Sequence, residues 1–249
     1  MSDIVITDFQ LKHLNKTLAK LSPQEVLKWA VVTFPNLFQT TAFGLTGLCI
    51  LDMLDKLDID PIDLVFIDTL YHFPQTHSLI EQVQTRYPRF KLHIYKPDGC
   101  DSTQQFEEKY GDELWVKDEL KYDFLAKVEP LQRAHKELNI KAVFTGRRRS
   151  QGGARSELPI VEIDESLNVI KISPLASWDF KMVQAYVKEN NVPYNELLDL
   201  GYKSIGDWHS TEPVAEGEDE RSGRWKGKAK TECGIHQTSK YQQYLSQVK

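Results

Sequence analysis

Short apolar runs alternate with longer stretches of helical period along most of this chain. Apolar residues recur at helical spacing from 11 to 32, and Ser22-Pro23-Gln24-Glu25 predicts a helix start with proline at the first position. Residues 37–43 predict a strand. Residues 48–57 predict a helix whose apolar face is Leu48, Leu51, Met53 and Leu54. Strands follow at 64–67 and 91–95, with a helix at 78–87 between them. A helix at 123–139 then leads into a strand at 142–144. Residues 160–163 and 169–172 predict a hairpin or edge pair, and Ser177-Trp178-Asp179 caps a helix running to about Asn190. This order predicts an α/β fold, a doubly wound, mostly parallel sheet.

The pattern changes after residue 205. Between Gly206 and Gly234 the large apolar side chains are few, chiefly Trp208, Val214 and Trp225. Such a segment does not bury enough surface to order itself alone. The expectation is one nucleotide-binding domain over residues 1–205, with residues 206–249 attached to it as a mobile tail or lid.

Composition narrows the class. The net charge is −5, which disfavours nonspecific binding to nucleic acid, while basic residues cluster locally at Arg147-Arg148-Arg149 and in the tail. That distribution suits a small anion better than a long polyanion. Cys49, Cys100 and Cys233 are far apart, with no zinc spacing and no disulfide framework. The opening Met-Ser-Asp-Ile has no basic segment leading into an apolar one, and no apolar run reaches spanning length. The expected location is cytoplasmic, with no membrane partner.

Four segments carry candidate chemistry. Thr41-Ala42-Phe43-Gly44 ends the first strand and opens a helix, where free N–H groups meet an anion. It is neither a Walker A loop nor a dinucleotide GxGxxG turn, and a plain strand–helix turn is the competing reading. Asp68 and Thr69 end the second strand, where open α/β sheets bind ligands, and a helix-capping role is equally open to them. The stretch from Thr145 to Arg155 holds four arginines and three glycines, including Arg147, Arg148, Arg149 and Arg155. Guanidinium groups match phosphate and sulfate with a planar donor fork, so an anion-binding loop is expected over a merely basic surface.

The last segment places Cys233 behind Arg221, Arg224, Lys226, Lys228 and Lys230. Nearby cations favour the thiolate, the nucleophilic form, and would also hold an anionic substrate and its leaving group. The rival is a stray surface cysteine. His236, three residues on, is a candidate for proton transfer or a plain exposed histidine.

Taken together and in this order, these segments resemble the 3′-phosphoadenylyl sulfate (PAPS) reductases, particularly the fungal enzymes. The resemblance runs from about Leu37 to Gln237. It is carried by Thr41-Ala42-Phe43-Gly44 (a modified PP-loop), Phe66-Ile67-Asp68-Thr69 with Phe73-Pro74-Gln75-Thr76, Lys127-Val128-Glu129-Pro130-Leu131, and the arginine loop. Gly201-Tyr202-Lys203-Ser204-Ile205-Gly206-Asp207, the stretch from Gly217 to Trp225, and Glu232-Cys233-Gly234-Ile235-His236 complete it. The resemblance implies the adenine-nucleotide α-hydrolase (PP-loop) fold and thioredoxin as electron donor. It also implies a nucleophilic Cys233 passing through S-sulfocysteine, substrate contacts that include Lys127, adenosine 3′,5′-bisphosphate as product, and a homodimer. The sister enzymes that reduce adenylyl sulfate (APS) carry an iron–sulfur cluster on two cysteine pairs. Here those places hold Tyr122-Asp123 and Asp207 with Ser210, so no cluster is expected. Three alternatives stay open: APS as substrate, a true PP-loop adenylating enzyme, and a non-catalytic nucleotide sensor. The adenylating enzyme is disfavoured because Phe43-Gly44-Leu45-Thr46 lacks an Asp-Ser pair.

Overall fold

The structure, a computed structural model, describes residues 6–228, 230, 232–236 and 238–241, with only the backbone of His236, Thr238 and Ser239. Two capped helices open the chain. In α1 (Asp8–Leu18) Thr7 and Gln10 form a capping box, and in α2 (Pro23–Thr33) Ser22 and Glu25 do the same, with Pro23 inside the first turn. The helix start expected at Ser22-Pro23-Gln24-Glu25 is therefore where α2 begins, with the Ser22 side chain accepting from the Glu25 amide.

The sheet follows as β1 (Leu37–Thr40), β2 (Asp63–Ile67), β3 (Leu92–Tyr95), β4 (Ala142–Phe144), β5 (Val161–Asp164) and β6 (Val169–Ile172), in spatial order β3-β2-β1-β4-β6-β5. All neighbours pair in parallel except β5 with β6, the expected antiparallel edge pair. The winding reverses between β1 and β4, so their carboxyl ends flank the crevice where a doubly wound sheet takes its ligand.

Helix α3 (Leu45–Lys56) starts at Gly44, and its residues 46–54 are all buried. Each Leu or Ile there contributes roughly 2 kcal/mol by burial. Alongside it, α4 (Pro74–Arg86) and the later α9 (Phe180–Glu189) complete one face of the sheet. The opposite face is covered after α5 (Thr103–Tyr110), α6 (Leu114–Lys117) and α7 (Glu119–Asp123) by α8 (Glu129–Glu137), through Leu131, Ala134, Phe38, Val65 and Val143. Between α7 and α8 the helical path widens into a π turn, Phe124–Val128, in which the Glu129 amide donates to the Phe124 carbonyl. Pro130 has no N–H to continue an ordinary α turn, which accounts for the widening.

Segment 206–228 was expected to bury little, but Trp225 is 4% exposed and Asp207, Thr211 and Glu220 are buried. Polar bonds, not an apolar core, lay it on the domain. His72 and Asp207 form a β-bridge, as do Thr211 and Arg224, and Glu220 pairs with Arg148. Among the described residues no helix is long and apolar enough to cross a membrane.

Asp52 is the buried polar tie of the first layer. It accepts from Lys56 Nζ at 2.6 Å, Tyr186 Oη at 2.7 Å and Tyr87 Oη at 3.0 Å, joining α3, α9 and the end of α4. Asp52→Ala should lower unfolding free energy by about 3 kcal/mol, since buried donors then lack an acceptor; urea denaturation measures it. His135 on α8 is buried, its Nδ1 has no hydrogen-bond partner among the described residues, and burial with Lys171 nearby pushes its pKa down to about 4. The neutral ring is the native form. Its stability contribution is therefore complete above about pH 6.5 and is lost as pH falls toward 4, by about 3 kcal/mol at the lower limit. His135→Gln should flatten that part of the stability–pH curve.

Candidate active site

A cavity of about 260 Å³ opens at the carboxyl ends of β1, β2 and β4. Its floor is the turn from Thr40 to Gly47. Thr41 Oγ1 accepts from the Phe43 amide at 2.9 Å, and Phe43 takes a left-handed backbone (φ 55°) while its ring packs on Phe66. These two residues shape the turn. Gly44 is the N-cap of α3 without a side-chain cap, so the first amides of the helix face the cavity as anion donors.

Thr69 lines the cavity and donates to Asp207 Oδ1 at 2.6 Å. Asp68 does not line it. Its Oδ1 accepts from the Leu70 amide at 2.9 Å, a turn-forming role rather than the helix cap weighed against ligand binding, since the N-cap of α4 is Phe73.

The arginine loop divides the same way. Arg147, Arg148 and Arg155 reach the cavity, but each already holds a carboxylate. Arg147 Nη2 donates to Glu162 at 2.5 Å. Arg148, 2% exposed, donates from Nη2 to both Glu220 oxygens, at 2.6 and 2.8 Å, and from Nε to Thr46 Oγ1. Arg155 is bidentate to Glu232 at 2.5 and 2.6 Å. Arg149 stays outside, donating to the Leu158 carbonyl.

Lys127 forms part of the cavity wall on the π turn. Its ammonium lies 2.9 Å from Asp123 and 2.8 Å from Asp207 and sits 4.9 Å from the centre of the Tyr122 ring. Burial works against this charge, but Asp207 and Asp123 outweigh it and hold Lys127 above the usual lysine range. Asp207 is likewise buried, yet Lys127, His72 and His209 keep its carboxyl far below the usual range. Tyr122 Oη donates to Asp207, and His209 stacks on Trp115 with ring centres 4.3 Å apart. Of the places expected to hold cysteine pairs in cluster-bearing relatives, Tyr122, Asp123 and Asp207 thus meet around one lysine, and Tyr122, Asp123 and Ser210 line a second cavity of about 150 Å³. Among the described residues no group of three metal-ligating side chains occurs.

Cys233 opens onto the main cavity together with Arg221 and Arg224. Arg221 lies 3.7 Å from Glu232, and burial, with repulsion from Arg155, lowers its pKa to about 10. Arg224 differs from the loop arginines. Among the described residues no carboxylate lies within ion-pair distance, its Nε is buried without a hydrogen bond, and its guanidinium stands 4.5 Å from the centre of the Trp225 ring. Burial lowers its pKa, opposed by the negative charges of Cys233 and Asp207. A Cβ at Gly206 would fall 2.3 Å from Arg224 Nη2, so this guanidinium position requires glycine there. Lys203 also lines the cavity and, among the described residues, meets the carbonyls of Ala215 and Glu218 at 3.4 Å. The His236 side chain lies outside the described residues. Cys49 and Cys100 are buried, and burial pushes the Cys49 thiol up to about 12.

Sequence reasoning did not assign Asp123, Asp207, Glu220, Glu232, His72 or Lys203 to the site. For all but His72, which falls between two quoted motifs, the signal was a place inside a quoted segment.

Comparison with known proteins agrees with this arrangement. The family model described as "Phosphoadenosine phosphosulfate reductase domain" matches residues 36–213. Phosphoadenosine phosphosulfate reductase of Saccharomyces cerevisiae is 61% identical over 252 residues, covering 99% of this chain and 97% of the relative. The adenosine 5′-phosphosulfate reductase of Halalkalibacterium halodurans is 37% identical, covering 91% of this chain and 96% of its own. A crystal structure of PAPS reductase from Candida auris, a phosphate complex, superimposes with a TM-score of 0.79 at 61% identity, covering 85% of this chain and all of that one. Sheet order, site and relatives converge: this chain belongs to the phosphoadenosine phosphosulfate reductase family of enzymes.

Proposed function

We propose that this enzyme reduces PAPS to sulfite and adenosine 3′,5′-bisphosphate with thioredoxin as electron donor, in assimilatory sulfate reduction that feeds cysteine and methionine biosynthesis. One observation carries the reading: Cys233 shares a cavity with Arg224, a half-buried arginine that has no carboxylate within ion-pair distance among the described residues, and with the open N-terminus of α3.

The nucleotide lies over the turn from Thr41 to Gly44, and its anionic groups meet the α3 amides, Arg224, Arg221 and Lys203. Lys127, Arg147, Arg148 and Arg155 border the same space, partly neutralised by their own carboxylates. Cys233 thiolate attacks the sulfo sulfur. The bond from that sulfur to the bridging phosphate oxygen breaks, and adenosine 3′,5′-bisphosphate departs with the electron pair. Cations around the centre offset the repulsion between thiolate and sulfonate. The enzyme then holds Cys233 as S-sulfocysteine. One thioredoxin thiolate attacks Cys233 Sγ and releases sulfite; the second thioredoxin thiol resolves the mixed disulfide and returns Cys233 to its thiolate. Two electrons pass from the dithiol to sulfur, and two protons are released. Splitting one difficult step into two is the advantage of a covalent intermediate. The segment carrying Cys233 moves out for the second step, since thioredoxin needs access to Sγ. The reaction uses no iron–sulfur cluster, the working unit is a homodimer, and the compartment is the cytoplasm.

Incubation of the reduced protein with PAPS, without thioredoxin, should give a single SO3 adduct by intact mass. Cys233→Ser should give none. A faster adduct with APS would reassign the substrate, and no adduct with either nucleotide would reject the two-step mechanism. Gly206→Ala should displace the Arg224 guanidinium and raise the KM for PAPS at least about tenfold, the order expected for one lost charge-assisted contact, while the urea midpoint moves little.

A further inference from the structure

The chain on both sides of Cys233 is tied to one buried carboxylate. Upstream, Lys230 Nζ pairs with Asp123 Oδ2 and stands 5.2 Å from the centre of the Trp225 ring. Downstream, Tyr241 Oη donates to the same Oδ2 at 3.4 Å. The other oxygen of Asp123 accepts from Lys127 at 2.9 Å. Asp123 is 1% exposed and Tyr241 2% exposed, although Tyr241 belongs to a tail poor in apolar residues.

The charges explain why the tail belongs there. Without the stretch from Lys230 onward, Asp123 and Asp207 share the ammonium of Lys127 in a buried place. Two buried carboxylates with one cation leave a charge uncompensated, which is strongly unfavourable. Lys230 brings the second cation, so the group balances only with the tail in place. Packing fixes the register. The Tyr241 ring stacks on Phe124, with centres 6.4 Å apart and planes at 26°, and belongs to a small cluster with Val128. A Cβ at residue 234 would come 2.4 Å from Tyr241 Oη, so only glycine beside Cys233 permits this approach.

We propose that Asp123 and Tyr241 form a socket that positions Cys233 at the mouth of the cavity, Asp123 receiving the tail on both sides of the nucleophile. Neither residue touches the reacting atoms; both act through the placement of Cys233. The role rests on the proposed attack by Cys233 but is tested separately from it. The socket favours the first half-reaction, in which Cys233 must point into the cavity. It opposes the second, in which Sγ must be exposed to the dithiol.

The test uses the full chain and three rates: alkylation of Cys233 by iodoacetamide without nucleotide, formation of the SO3 adduct from PAPS, and discharge of that adduct by excess dithiothreitol. In Asp123→Asn and Tyr241→Ala, alkylation should rise about tenfold, and adduct formation should fall at least about tenfold, as small misplacements of a reacting group do. Discharge should be unchanged or faster. Tyr241→Phe keeps the ring and loses only the long 3.4 Å bond to Asp123, so its alkylation and adduct-formation rates should fall between those of the parent and of Tyr241→Ala. Unchanged alkylation and unchanged adduct formation would overturn the socket. So would an equal fall in both half-reactions, which marks general damage to the fold. The alkylation arm needs no substrate, so it judges the socket even if the parent protein forms no adduct.

Discussion

Lys127, with Asp123 on one side and Asp207 on the other, ties together the parts of the molecule that bear on the site. Asp207 opens the C-terminal segment and also accepts from Thr69 at the end of β2 and from Tyr122 on α7. Asp123 ends α7 and reaches Lys230 and Tyr241. One ammonium thereby fixes a sheet end, a helix pair and the tail in a single arrangement. An isolated charge at that depth would be untenable, so each partner requires the others. The π turn is part of the same constraint, because it sets where along the α7–α8 path the lysine emerges.

The arginine loop obeys a related rule. Fully buried guanidinium groups need anions, and here most of those anions are internal: Glu162, Glu220 and Glu232. Glu220 and Glu232 come from the C-terminal segment, so the loop arginines hold the lid as well as lining the cavity. Among the described residues Arg224 and Lys203 have no such carboxylate, which is why the proposed reading gives them to the ligand. A cluster of basic residues in sequence therefore divides, in three dimensions, into structural and ligand-facing members.

The alternation of strands and helices was legible in the sequence because parallel strands covered on both faces appear as short continuous apolar runs. The site was legible at Thr41–Gly44, Arg224 and Cys233, where motif and place in the fold coincide. Asp68 and Arg149 show the limit. A carboxylate or guanidinium at the right strand end is as useful to a turn or a backbone carbonyl as to a ligand, and spacing does not separate these uses. The ion pairs were not legible for a different reason: Glu220 lies 72 positions from Arg148, and Glu232 lies 77 from Arg155. Helix α5 and its aromatic cluster with Tyr71 and Trp115 escaped because no regular apolar period marks a helix of eight residues.

A segment without a core takes its position from points. Helix α3 is located by nine consecutive buried residues, so losing one contact leaves its place determined by the others. The stretch around Cys233 is located by a few side chains, Glu232 to Arg155, Lys230 and Tyr241 to Asp123, and Ile235 against the face that α8 covers. Each such bond contributes on the order of 1–3 kcal/mol net. Their sum holds the cysteine in one place, and the opening proposed for thioredoxin would break these bonds rather than an apolar core. The same polar composition that made the tail look structureless in sequence is what makes its placement both definite and reversible.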